Sequence, residues 1–445
     1  LQNGSSIRHD IFFKARGTMM KTIDYASFNE QLFVEKLENG LTVYLQPKKG
    51  FEKSIAILGV NYGSVDTDFS INGTPVSQPA GIAHFIEHKM FDKKDYDVFE
   101  LFNKTGASAN AYTSFTKTNY LFSTTEDLRD NLLILLDFVQ KPYFTTEKIE
   151  REKGIIDQEI NMYLNDPDNR IYFQTIQDLY PQSPLSEDIA GTVDSVSKIT
   201  LADVQRAYET FYRPDNMSLF ITGRVNPEEA LSWIKENQRQ KSWSVPAVIE
   251  RNLVFPTVAN DKINKYQMAI SRPKASIGIR GNDSVPRGRE GLAYEIAISL
   301  VLDLFFSETA EDYTQLYQDG VLDDSFSWEF ENERGFHFAI LNGDTNKPQD
   351  FIDKLLKIIR QIPKKLSGMS SEFELQKKEL LGNYIEMMDS EEAISGQFDG
   401  FLSEPLTIYD EVGILDSLTL EQTVAFAEQY FDSASIQSEI IQAND

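Results

Sequence analysis

The chain has no cysteine among its 445 residues. That excludes disulfides, iron–sulfur ligation and thiol catalysis, and leaves any bound metal to nitrogen and oxygen donors. Histidine is scarce too, with four copies, so two of them close together carry unusual weight. Every long apolar run is interrupted well short of the roughly eighteen residues that cross a bilayer, so no membrane insertion is expected. Positive charge is also short: 43 Lys and Arg stand against 69 Asp and Glu, a formal net charge of −26. Phosphate binding needs a basic surface, so no nucleic-acid partner is expected. The acidity would concentrate basic peptides where it lines a cleft, although plain solubility explains it equally well.

What is present is globular in character, at 41 % hydrophobic and 12 % aromatic residues, which argues against disorder. The length exceeds one ordinary core and predicts two to three domains. Residues 1–19 read as an extension or leader and are expected to be disordered. Leu1 to Thr18 lacks a continuous apolar core and runs into Met19-Met20. With no recognisable signal sequence, the expected location is cytoplasmic.

Two of the four histidines fall within His84-Phe85-Ile86-Glu87-His88. On a helix, His84 and His88 at i and i+4 share a face, with Glu87 beside them. Two imidazoles and a carboxylate around one point are what a zinc-activated water and its general base require. The order H-x-x-E-H inverts the common H-E-x-x-H of zinc proteases. Chance supplies ~0.003 such matches in a chain with this few histidines, which makes an ordinary helix with two hydrogen-bonded histidines the weaker reading. A catalytic zinc keeps three protein ligands and one open position, so a third ligand is expected elsewhere.

Lys36 to Leu45 reads as strand, Asn39-Gly40 turn and strand. Ser54 to Val60 is a further strand, and Pro79 is expected to open the histidine-bearing helix. Ser108 to Phe115 and Asn119 to Thr124 are β-prone. Helices are expected at Leu128 to Val139, Glu147 to Leu164 and Leu201 to Phe211, with a strand at Ser218 to Thr222. Periodicity fades from Glu236 to Pro256, so residues 237–256 read as a linker between domains 20–236 and 257–445. Beyond it the order returns: strand (275–280), helix (291–306), two strands (325–330, 336–342), helices (350–362, 371–388) and a final helix. Thr200-Leu201-Ala202-Asp203-Val204 can be laid over Thr419-Leu420-Glu421-Gln422-Thr423, and Ile155-Ile156 with Ile160 over Leu380-Leu381 with Ile385. These pairs point to a duplication. In the helix around Lys148 to Ile160, Glu152 and Glu159 lie seven residues apart and hence on one face, while solvent is the bland expectation for most of its acids.

The stretches Leu37-Glu38-Asn39-Gly40-Leu41, Gly81 to His88, Asn110-Ala111-Tyr112-Thr113, Glu150-Arg151-Glu152-Lys153 with Glu159, and Tyr212 to Met217 resemble the pitrilysin/insulinase family of zinc metallopeptidases, which includes the mitochondrial processing peptidase. His88-Lys89-Met90-Phe91 is most similar to its short bacterial members of the YmfH type. The resemblance implies an α+β fold of two homologous α/β-sandwich halves, each a mixed sheet covered by helices on one side, making half of a clamshell chamber. It implies one Zn²⁺ per chain on His84, His88 and Glu159, with Glu87 as general base. Glu152 would hydrogen-bond a ligand histidine, and Asn110 and Ala111 on an edge strand would bind peptide substrate.

The chain departs from the family pattern in its second half. Where self-sufficient members carry an Arg and then a Tyr that stabilise the oxyanion, Tyr317 and Asp323 stand here. A carboxylate would oppose the developing negative charge. Tyr384 stands opposite Glu159, so the 257–445 half is expected to be a degenerate domain without a metal site. His337 reads as a packed strand residue. The expected function is a zinc endopeptidase acting on short or unfolded peptides, as the metal-bearing subunit of a heterodimer whose related partner supplies the Arg and Tyr, with a homodimer possible. The alternative is a non-catalytic peptide-binding or scaffolding subunit of a processing complex.

Overall fold

The computed structural model describes residues 9–444 except 16–17, 244–247, 252, 257, 259–261 and 402–403. The chain divides into two compact units. The first draws on Leu1–Asp157, Ile189–Asn252 and Ile385–Gly413, the second on Gln158–Asp188, Leu253–Tyr384 and Ile414–Asp445. The division falls inside the long helix Thr146–Asn165.

The first unit is built on an eight-stranded sheet in the order His9–Ala15, Thr18–Tyr25, Glu30–Lys36, Thr42–Pro47, Met217–Gly223, Ser54–Val60, Thr118–Thr124, Ser108–Thr113. Thr42–Pro47 and Met217–Gly223 run parallel and the other neighbours antiparallel, so the sheet is mixed. Burial follows position. Every residue of the central Met217–Gly223 is buried, as a strand covered on both faces requires. Ser108–Thr113, at the end of the order, alternates exposed and half-buried residues.

Part of the 1–19 extension is thus not disordered: the backbone of His9–Ala15 pairs with Thr18–Tyr25 as the strand at the other end. The 237–256 stretch is likewise more than a linker. Residues 237–239 finish the helix Pro227–Arg239, and Ile249–Arg251 pairs with Asp68–Ile71. Arg251 Nε donates to Asp66 Oδ1 at 2.9 Å; residues 244–247 and 252 lie outside the described residues.

The second unit carries a five-stranded sheet ordered Lys262–Met268, Ser435–Ala443, Lys274–Arg280, Phe336–Asp344, Ser327–Glu333. The senses are parallel, then antiparallel three times. The last five strands of the first sheet show the same order and senses, and helices Leu201–Phe211 and Leu420–Ser433 both begin with a capping box, on Thr200 and Thr419. Two halves of one plan are the expected duplication.

The compact units do not coincide with contiguous stretches 20–236 and 257–445. Helix Pro167–Leu179 lies against the second sheet, where Thr175 Oγ1 donates to Ser276 Oγ at 2.9 Å. A Cβ on Gly278 would stand 2.5 Å from the Thr175 methyl, so glycine is what admits the helix. Conversely, residues 385–413 join the first unit: Tyr25 OH donates to Asp410 Oδ2 at 2.6 Å and Lys48 Nζ to Tyr409 OH at 3.1 Å, both buried.

Candidate metal centre

The histidines sit on helix Ile82–Phe91, which starts three residues after Pro79 rather than at it. Its N-cap is Gly81, at φ 87°, and a Cβ there would lie 2.3 Å from the carbonyl oxygen of Ala190. The chain can enter the helix against that backbone only as glycine. Ser195 Oγ donates to Ala80 O at 2.9 Å and fixes the same junction. The helix buries Ile82, Phe85, Ile86, Met90 and Phe91, leaving His84 and His88 half-buried.

Facing it is Thr146–Asn165, with Ile149, Glu152, Ile156 and Ile160 turned inward. His84, His88 and Glu159 each offer a donor atom, and the three atoms lie within 4.8 Å of one another. That set fits a divalent ion of zinc type: two neutral nitrogens and one carboxylate, with no thiolate needed. Among the described residues no other group of three or more such side chains is so placed. His84 is pushed down to about 3, first by burial and then by the charge of His88, so its imidazole is neutral and able to ligate at ordinary pH.

The surrounding contacts orient these groups. His88 Nδ1 is 3.2 Å from Glu152 Oε1. Burial works to raise the Glu152 carboxyl, but hydrogen bonds from His88 and Lys89 outweigh it and hold it below its ordinary value. An ionised carboxylate only accepts, so the proton belongs on Nδ1, which makes Nε2 the nitrogen with a lone pair that a metal could use. Glu87 is 8 % exposed, and its Oε2 accepts from Thr113 Oγ1 at 2.7 Å.

The matches to protein families cover both halves. Residues 50–193 match the model described as insulinase, peptidase family M16, and residues 198–380 the M16 inactive domain. YmfH of Bacillus subtilis (strain 168), a zinc protease itself uncharacterized, is 42 % identical over 406 residues, 91 % of this chain and 94 % of that one. This chain belongs to the insulinase family, M16. A crystal structure described as an M16-like peptidase, from Alicyclobacillus acidocaldarius, matches with a TM-score of 0.85 at 30 % identity, over 93 % of this chain and 99 % of that one. A Helicobacter pylori protease, at TM-score 0.78 and 17 % identity over 93 % and 99 %, shares the fold. The beta subunit of the Dictyostelium discoideum mitochondrial-processing peptidase is 27 % identical over 232 residues, about half of each chain.

The remaining residues singled out in this M16 sequence fall as follows. Asn110 and Ala111 lie on the terminal strand Ser108–Thr113, and the N–H of Ala111 donates to the Asn110 side chain at 2.9 Å. Tyr317 OH donates to Asp324 at 2.9 Å, and Asp323 accepts from Arg272 Nη2 at 2.7 Å. His337 is a packed strand residue, with Nε2 2.8 Å from Asp283 Oδ1. Nothing in the sequence pattern assigns a role to Thr113 or Lys89. Thr113 closed a motif already quoted, so its period-2 relation to Ala111 could have pointed it toward Glu87.

Proposed function

We propose that this chain is a zinc-dependent endopeptidase for short or unfolded peptides, and the metal-bearing subunit of a heterodimer. The observation that carries the reading is that donor atoms of His84, His88 and Glu159 lie within 4.8 Å of one another, with Glu87 on the same helix as the two histidines. Bound there, Zn²⁺ would polarise the scissile carbonyl and make the attacking water more acidic. Glu87 takes the water's proton and returns it to the leaving amine. Thr113 Oγ1 donates to Glu87 Oε2 and so steadies the carboxylate for that transfer. Glu152 sets the tautomer of His88.

The open side of Ser108–Thr113 receives the peptide as an added strand, with contacts from Asn110 and Ala111. Recognition through backbone groups favours extended substrates over folded ones. Tyr317 and Asp323 support the need for a partner. Each is engaged in its own unit: Tyr317 lacks the positive charge of the Arg it replaces, and the Asp323 carboxylate would oppose a developing oxyanion. A related subunit would provide the Arg and Tyr; a second copy of this chain could not, having the same two residues.

The test is hydrolysis of a mixed pool of unstructured peptides by the zinc-loaded chain, with Glu87→Gln beside it. Cleavage by the lone chain that vanishes in Glu87→Gln supports the peptidase and overturns the requirement for a partner. One zinc per chain without cleavage supports the heterodimer. A chain that takes up no zinc belongs to the non-catalytic alternative.

A further inference from the structure

We propose that Lys89 is a positioning residue for the metal centre, acting through Glu152. The inference rests on the metallopeptidase reading of the same site. Lys89 is fully buried, in the last turn of the histidine helix, where a cation is favoured by the helix dipole. A buried ammonium must be paired, and Lys89 Nζ lies 2.7 Å from Asp92 Oδ2 and 2.9 Å from Glu152 Oε2.

His88 and Lys89 are consecutive, so their side chains leave the helix about 100° apart. The single carboxylate of Glu152 bridges them, with Oε1 on His88 Nδ1 at 3.2 Å and Oε2 on Lys89 Nζ. That division decides which way the carboxylate faces. With Oε2 held, Oε1 is presented to the imidazole, and the ring of His88 is fixed in both tautomer and orientation.

Asp92 anchors Lys89 in turn. It is also held by Lys148 Nζ and by Arg151 Nη2, the latter at 2.6 Å, both from the helix that carries Glu152 and Glu159. The chain of contacts therefore runs from one helix to the other and ends on a metal-ligand candidate. Truncating Lys89 to an apolar side chain of similar length removes the restraint on Oε2 and leaves Glu152 free to turn about its last torsion.

The experiment is a double-mutant cycle on Zn²⁺ affinity, measured on the intact chain by competition with a chromophoric chelator. Lys89→Met is expected to weaken zinc binding about tenfold in the wild-type background. In a Glu152→Gln background the same change is expected to have no further effect, because the group it acts through is already gone. An equal loss in both backgrounds, or no loss in either, overturns the proposal; a general structural defect gives the first pattern. Melting of the metal-free variants checks folding. If Lys89→Met does not fold, Asp92→Asn replaces it and must give a smaller loss that again disappears with Glu152→Gln. Absence of zinc binding by the wild-type chain would instead overturn the metallopeptidase reading itself.

Discussion

Thr113, on the terminal strand of the first sheet, donates its hydroxyl to Glu87 on the histidine helix across 2.7 Å. The strand proposed to receive the peptide and the carboxylate proposed to move its protons are therefore held by one side chain. Thr113→Val keeps the shape and removes the donor. A lost hydrogen bond to a charged group costs about 1.5 kcal/mol or more, so kcat should fall at least about tenfold. Zinc content should not change. Steady-state kinetics with a parallel metal assay check this, and unchanged kcat would remove Thr113 from the mechanism.

Asn110 covers its own strand's open edge by accepting from Ala111 N–H, a local way of blunting an unpaired strand. Asn110→Ala uncovers that donor. If a peptide adds as a strand there, KM should fall severalfold with kcat little altered. A raised KM would mean that the Asn110 side chain itself grips the substrate.

Glu159→Ala removes the one anionic donor of the candidate metal set. The variant should purify with well under one zinc per chain. Ligand binding raises stability by an amount set by concentration over Kd. Added zinc should therefore raise the melting temperature of the metal-free wild type and have much less effect on the variant.

Gly81→Ala places a Cβ 2.3 Å from Ala190 O and asks alanine to hold a φ of 87°. Each defect is costly, and a loss of roughly 2 kcal/mol or more is expected. The histidine helix begins at this residue, so zinc affinity should fall together with the melting temperature. A loss of stability with unchanged zinc affinity would show that the helix settles independently of its cap.

Glu439 is completely buried in the second sheet, and its carboxyl is pushed up to about 9. Burial is the main cause and the charge of Asp178 the next, while the hydrogen bond from Asn264 works the other way. Below its ordinary value near 4.5 the group is protonated in both folded and unfolded chains. Between 4.5 and 9 only the unfolded chain ionises, so stability falls as pH rises, by up to about 1.4 kcal/mol per pH unit from this group. Glu439→Gln should flatten that decline. Melting curves from pH 5 to 9 on both proteins check it, and parallel curves would contradict the assignment.

Much of this architecture was legible in local pattern. Ser54–Val60 and Leu201–Phe211 fall where the sequence pattern places them, because a continuous apolar run and an amphipathic periodicity are local properties. Other elements were hidden. Ser435–Ala443, an inner strand of the second sheet, carries Gln437, Ser438 and Glu439 in its buried run and so lacks the apolar signature such a strand usually shows. Pro167–Leu179 reads as an ordinary amphipathic helix, and nothing local says which sheet it will cover.

The sequence by itself determined the donor types and the His84-Glu87-His88 face, since helix geometry sets i, i+3 and i+4 wherever a helix forms. It also determined that no thiol could serve and that Glu152 and Glu159 share a face. Only the tertiary structure decided that this face meets the histidines, with three donors within 4.8 Å, and that Thr113 and Lys89 hold their neighbours from outside the motif. The reason is distance along the chain: Glu152 is 64 residues from His88 and Thr113 is 26 from Glu87. Such pairs exist only once a sheet and two helices have packed.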